Sequence, residues 1–151
     1  MPFFICPNCK DRSIDSDRAE GLLDAQAVAC QRCGFGFLFE LMDDYYPAPG
    51  AGLVACDSEG RILAVGRGLF ELTGYRDADL MGKDVLSGLG LSGFDESKNP
   101  AKLSLEWGVR RLGEKLELQT RAGGRKPVTA DFFPAYDKDG GLLVALAPRL
   151  A

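Results

Sequence analysis

The sequence predicts an α+β protein in two parts: a small cysteine-bearing module, then a domain of five strands and three helices. Three observations predict it. Four of the five cysteines form two Cys-x-x-Cys pairs near the start of the 151-residue chain. The stretch Pro47-Ala48-Pro49-Gly50-Ala51-Gly52 then breaks all periodicity and reads as a linker. Beyond it, turns built on Gly and Asp recur between short apolar runs. The boundaries that follow are residues 1–46 for the module, 47–52 for the linker and 53–151 for the domain.

Composition narrows the function before any motif is read. With 46% hydrophobic and 26% charged residues the chain is that of an ordinary globular protein. It contains no histidine, which removes Ser-His-Asp and Cys-His nucleophiles, His-ligated haem and mixed Cys/His metal sites. No enzymatic activity is expected. No apolar run approaches the ~20 residues that span a bilayer. The start, Met-Pro-Phe-Phe-Ile-Cys, lacks the basic segment and apolar core of an export signal, so a cytoplasmic location is expected. Residues 1–46 hold four basic and eight acidic side chains, and the remainder holds fourteen of each. The formal charge of −4 thus sits on the module, which has no basic footprint for nucleic acid or for an anionic membrane.

The module opens with Cys6-Pro7-Asn8-Cys9, and Cys30-Gln31-Arg32-Cys33 follows after twenty intervening residues. Each Cys-x-x-Cys folds into a tight knuckle that aims both sulfurs at one point, and two knuckles complete a tetrahedron. Gly34 suits the tight backbone after the second pair, whereas Lys10, in the equivalent place after the first, is a poorer fit. Disulfides would need an oxidising compartment, and a thioredoxin-like redox pair would need a β-α-β setting that this module lacks. Zinc and rubredoxin-like iron both suit four thiolates, and composition does not separate them. The pattern resembles a zinc ribbon over about residues 3–46, which implies one structural Zn²⁺ held by Cys6, Cys9, Cys30 and Cys33. With every ligand position taken by cysteine, no coordination site is open to water. A segment this short also needs the metal, because its core alone rarely suffices. Residues 35–42, rich in aromatics, read as a strand; Ile14 and residues 27–29 suggest shorter ones, and residues 15–24 suit a helical turn.

In the second part, strands at 53–57 and 61–65 flank the turn Ser58-Glu59-Gly60. Val65, Leu69 and Leu72 recur at helical spacing, and Gly74 can close that helix in the left-handed region. Asp77 caps a second short helix that stops at Gly82. Asn99-Pro100 opens a third. Leu103, Leu105, Trp107 and Val109 alternate like a strand but also fit helical spacing; the helix reading carries it to Gly113. Strands at 115–121, 126–134 and 141–148 close the chain, joined by turns at 122–125 and 137–140.

The order of elements, the hairpin Leu53-Val54-Ala55-Cys56-Asp57-Ser58-Glu59-Gly60-Arg61-Ile62-Leu63-Ala64, and the segments Leu72-Thr73-Gly74-Tyr75 and Asp79-Leu80-Met81-Gly82-Lys83-Asp84-Val85 resemble a PAS domain. So does the final hairpin, where Pro134 precedes Asp139-Gly140. The resemblance covers roughly residues 50–150. It implies a PAS-type five-stranded antiparallel sheet with helices on one face, serving ligand sensing, dimerisation or signal relay. One position departs: Gly66 stands where family members commonly carry Asn, which softens the start of the first helix, a wall of the usual ligand pocket. Cysteinyl-flavin photochemistry is not expected, because residues 66–113 hold no cysteine, and Cys56 on the first strand reads as a small buried hydrophobe. A non-covalent flavin or a small metabolite stays open.

Other clusters read as surface. Asp137/Asp139 and Glu114/Glu117 flank turns or alternate along a strand, and Gly88, Gly90 and Gly93 lack the Lys-Ser/Thr of a phosphate loop. Arg110, Arg111, Arg121, Arg125 and Lys126 share their domain with fourteen acids. More telling are two adjacent apolar pairs, Phe132-Phe133 and Leu142-Leu143. Neighbours on a strand face opposite sides, so one Phe and one Leu must lie away from the helices. That second face is expected to be covered by the ribbon's strand, a second subunit or a target protein. The sequence reading is therefore an adaptor that acts by touching another protein or itself, as a homodimer through the PAS sheet. The alternatives are a ligand-sensing relay and a redox or electron-transfer protein with iron in the four-cysteine site.

Overall fold

The computed structural model describes residues 3–14, 32–33, 39–41, 45–48, 50–134 and 141–149. The expectations for residues 15–24, 27–29, 35–38, 42 and the 137–140 turn lie outside the described residues. Two antiparallel sheets form. In the first, β1 (Phe3–Ile5) runs between β2 (Arg12–Ile14) and β3 (Phe39–Leu41), with Ile5 opposite Arg12 on one side and Phe39 on the other. The second has the order β5-β4-β8-β7-β6, built from β4 (Gly52–Cys56), β5 (Ile62–Val65), β6 (Arg111–Gln119), β7 (Arg125–Pro134) and β8 (Leu142–Pro148).

The β4–β5 turn is organised by Asp57, whose Oδ1 accepts from the N–H groups of Glu59 and Arg61, both at 2.9 Å. Between β5 and β6 come four short helices: α1 (Leu69–Thr73), α2 (Asp77–Leu80), α3 (Val85–Gly88) and α4 (Pro100–Trp107). Gly74 ends α1 at φ 79° as its position predicts. For α2 the carboxylate that caps is Asp79, reaching back to the Arg76 N–H at 2.9 Å, while Asp77 is already helical. Asn99 accepts from Lys102 N at 3.1 Å, with Pro100 at the first helical position.

Other readings are corrected as well. The last helix ends at Trp107, well short of Gly113, because Gly108 takes the left-handed cap at φ 64° and donates to the Ser104 carbonyl. Alternation wins from there, and β6 starts at Arg111 with Gly113 in a bulge. A further helix, α3, and a 3₁₀ turn over Glu96–Lys98 were not read, although Asp84 and Asp95 cap them. Ala51 is buried, and β4 begins at Gly52. No helix among the described residues is long and apolar enough to cross a membrane.

The sheet is buried on both faces at β4, β8 and the end of β7, while β6 alternates buried and exposed residues. Val54, Cys56, Leu116, Leu118, Phe132, Leu142, Val144 and Leu146 pack on the helices, against Leu69, Leu72, Leu80, Val85 and Leu89. Leu53, Ala55, Ala64, Phe133, Leu143 and Ala145 form the outer face, where they join Ile5, Phe39 and Leu41 of the first sheet. Near-continuous apolar strands such as Leu142–Pro148 are what burial on two sides produces.

Candidate metal centre

Cys6 follows β1 directly, so the same strand that puts Ile5 on the outer face carries the first sulfur into the module. The knuckle closes by backbone bonds: Lys10 N–H donates to the Cys6 carbonyl and Cys6 N–H to the Asp11 carbonyl, each at 2.9 Å. Cys9 N–H points at Cys6 Sγ at 3.4 Å. Closing the turn forces Lys10 to φ 69°, the positive value that made lysine a poor fit there. Among the described residues it is the one non-glycine with positive φ.

Three of the four expected ligands converge. The sulfurs of Cys6, Cys9 and Cys33 lie within 4.8 Å of one another, and Cys6 Sγ is 3.6 Å from Cys33 Sγ. Cys30 lies outside the described residues. A tetrahedron with metal–sulfur bonds of ~2.3 Å has sulfurs about 3.8 Å apart, so the spacing fits a thiolate-bound ion. Burial pushes the Cys6 thiol up to about 12, against a smaller lowering by the N–H groups of Cys9 and Asn8. A thiolate in this position therefore needs a cation beside it. A cleft of about 400 Å³ next to the sulfurs is lined by Asn8, Lys10, Arg32 and Arg67 along with Cys9 and Cys33. Arg32 is partly committed to Asp11, at 3.8 Å.

Sequence reasoning missed the residues that fasten this knuckle to the larger sheet. Gly66 is not a softened helix start: a Cβ there would lie 1.8 Å from the carbonyl oxygen of Pro7. Glycine is required because the knuckle's backbone occupies that space. The next residue, Arg67, donates its N–H to the Asn8 carbonyl at 3.2 Å, and the Asn8 side-chain amide points at Cys33 Sγ at 3.7 Å. Further along, Tyr45 packs on Phe133 with ring centroids 4.4 Å apart, and its hydroxyl donates to Asp131 Oδ2. Asp131 Oδ1 accepts from Gly113 N–H at 2.7 Å, so one carboxylate ties the module to the β6 bulge. Burial, and then the adjacent Asp131, raise the Tyr45 hydroxyl above its ordinary value. The Gly66-Arg67-Gly68 substitution was the available signal; nothing local pointed to Tyr45.

All four expected interaction residues are buried. Phe132 and Leu142 face the helices; Phe133 and Leu143 face the N-terminal strands. Of the three coverings expected for the outer face, the one seen is the chain's own β1 and β3, which pack on β4, β8 and the end of β7, while Lys115 and Glu117 of β6 stay exposed. Cys56 is buried in β4 among the helix-facing residues, and burial raises its thiol strongly.

No family model matches the chain, and no curated protein matches it. Solved structures do. The PAS domain of a Colwellia psychrerythraea protein is similar at TM-score 0.54 and 16% identity, covering 66% of this chain and 86% of that one. The fungal blue-light photoreceptor Vivid, in its light-state dimer, is similar at TM-score 0.57 and 14% identity, covering 70% and 83%. The PAS domain of the fruit-fly ELK potassium channel gives TM-score 0.55 at 19% identity, covering 66% and 86%. At such identities the likeness is one of fold. The five-stranded antiparallel sheet with its helices is a PAS fold, and beside it stands a cysteine cluster able to hold a metal ion.

Proposed function

We propose that this chain is a non-enzymatic regulatory protein of the cytoplasm, a PAS domain and a structural zinc ribbon acting together as an adaptor through contact with another protein. The observation that carries the reading is the convergence of Cys6, Cys9 and Cys33 in a knuckle seated on the PAS sheet. With Cys30 as fourth ligand the set is all thiolate, which suits a structural ion and leaves no place for a reacting water. Four thiolates and Zn²⁺ sum to −4 + 2 = −2, and Lys10, Arg32 and Arg67 line the adjoining cleft. The ion's contribution is to hold the knuckles closed. A regulatory role accords with the PAS folds it resembles, one in a blue-light photoreceptor and one in a potassium channel. Vivid's light-state dimer makes a second copy of this chain one candidate partner.

Elemental analysis of the purified chain should find one zinc. Replacing Cys6, Cys9, Cys30 or Cys33 with Ser should release it, and Cys56→Ser should not. Less than about half an equivalent of any metal refutes the site, and a red iron protein replaces the adaptor with an electron carrier. Affinity capture from the source cell's extract, followed by reconstitution with the purified candidate, should give a stoichiometric complex; the adaptor role fails if none reconstitutes. A second reading, a PAS domain holding a small polar molecule, is favoured by Ser104, whose buried hydroxyl on α4 has no hydrogen-bond partner among the described residues. Native mass spectrometry showing a co-purifying adduct would support it.

A further inference from the structure

Resting on the metal reading above, we propose that the cysteine site locks a cover: metal binding and seating of β1 and β3 on the outer face of the PAS sheet form one coupled equilibrium, transmitted through Pro7 and Asn8 to the start of α1.

The N-terminal strands are only three residues long, and their buried Ile5, Phe39 and Leu41 belong to the same apolar cluster as Leu53, Phe133 and Leu143. Their packing is therefore packing against the PAS sheet. The two residues enclosed by the first cysteine pair are the ones that touch α1's approach. Pro7's carbonyl fills the space of the missing Gly66 side chain, and Asn8's carbonyl takes the Arg67 N–H. Asn8 also aims its side-chain amide at Cys33 Sγ, so a single residue connects the sulfur cluster to the PAS backbone. The path continues directly: Gly68 stands at the N-terminus of α1, and Gly52 of β4 lies so close to Leu69 that a Cβ there would meet its backbone at 2.9 Å. A knuckle held by metal presents both carbonyls in fixed register. Without metal the knuckle keeps its backbone bonds between Cys6, Lys10 and Asp11 but loses the ion that ties it to Cys33. Linkage is reciprocal, so whatever factor docking gains from metal, metal affinity gains from docking.

The test uses the full-length, zinc-loaded chain kept reduced, with hydrogen exchange read by mass spectrometry before and after zinc is stripped by a chelator. Stripping should raise exchange at least about tenfold in β1 and at Arg67, while β7 and β8 keep their protection from one another. In the zinc-loaded Gly66→Ala protein, where no cysteine has changed, the same segments should exchange faster and zinc should bind about tenfold more weakly or worse. Should Gly66→Ala fail to fold, the stripped wild-type chain decides alone. A protein that takes up no metal overturns both the site and the coupling. A protein that holds zinc but shows unchanged exchange on stripping, or a folded Gly66→Ala protein with wild-type zinc affinity, overturns the coupling and leaves the metal site standing.

Discussion

Phe132 and Phe133 are neighbours in β7, both buried, with 0% and 5% of their surface exposed, yet the same substitution should have opposite consequences at the two positions. Phe132 packs between sheet and helices. An aspartate there has no route to water short of dismantling the domain. Removing the ring alone costs about 3–5 kcal/mol, and an unpaired buried carboxylate adds several more. That sum is comparable to the ~5–15 kcal/mol by which a domain is folded, so Phe132→Asp should unfold the PAS domain. Phe133 packs against Ile5, Phe39, Leu41 and Tyr45. An aspartate at this place has an escape: the N-terminal strands lift away and the carboxylate meets water. The cost to the five-stranded sheet is then capped at the docking free energy. Phe133→Asp should keep the sheet's protection, melt cooperatively and lose protection in Phe3–Ile5 and Phe39–Leu41. Circular dichroism melts with segment-resolved hydrogen exchange read both. The reasoning fails if the two variants unfold alike, or if Phe133→Asp leaves the β1 and β3 strands as protected as in the wild type.

Tyr45→Phe removes a hydroxyl bonded to a carboxylate and should weaken docking by about 1.5–3 kcal/mol, read as faster exchange in β1. Because the hydroxyl's folded value lies above its ordinary 10.0, its contribution is whole below pH 10 and is lost as the pH rises beyond; this alkaline limb should vanish in Tyr45→Phe, and its persistence would refute the assignment. Lys10→Gly and Lys10→Ala both remove a cation from the cleft, but only glycine relieves the φ 69° turn, so the Gly variant should bind zinc up to about fivefold more tightly than the Ala variant, roughly 1 kcal/mol; equal or weaker binding in a metal titration would contradict the strain. A chain beginning at Gly50 exposes Leu53, Phe133 and Leu143 together and should self-associate in sedimentation; a well-behaved monomer would show that the outer face tolerates water.

Legibility followed the range of the determining contact. Asn99-Pro100, Gly74 and the Ser58-Glu59-Gly60 turn act within one turn of backbone, and each does what its residue type dictates. The end of α4 did not read correctly, because Gly108 and Gly113 are the same letter. What separates them is Asp131, remote in sequence, which takes the Gly113 N–H and draws that residue into the β6 bulge. Trp107 and Leu112 then stay largely in solvent, 72% and 50% exposed, so the apolar spacing that suggested a longer helix was never a buried face. The single-turn helix α3 offers no periodicity to detect, only its Asp84 cap. At the site, all four cysteines were legible by spacing, and the three among the described residues meet in space; the surface that fastens them was not legible.

The two-sided apolar pattern of β7 and β8 and the glycine at position 66 are one fact seen twice. A PAS sheet with helices on one side and water on the other would alternate apolar with polar residues, and Phe132-Phe133 beside Leu142-Leu143 breaks that alternation in register, since Phe133 pairs with Leu143. Such a break is stable only if something apolar sits on the second face, and Ile5, Phe39 and Leu41 do. Once they are seated, β1 delivers Cys6 and its knuckle to the edge of the sheet beside β5, and the chain leaving β5 must give way to Pro7. Only a residue without a side chain does so at a Cβ distance of 1.8 Å. The glycine at position 66 therefore follows from the same docking that requires Phe133, and a substitution at either position acts on one interface.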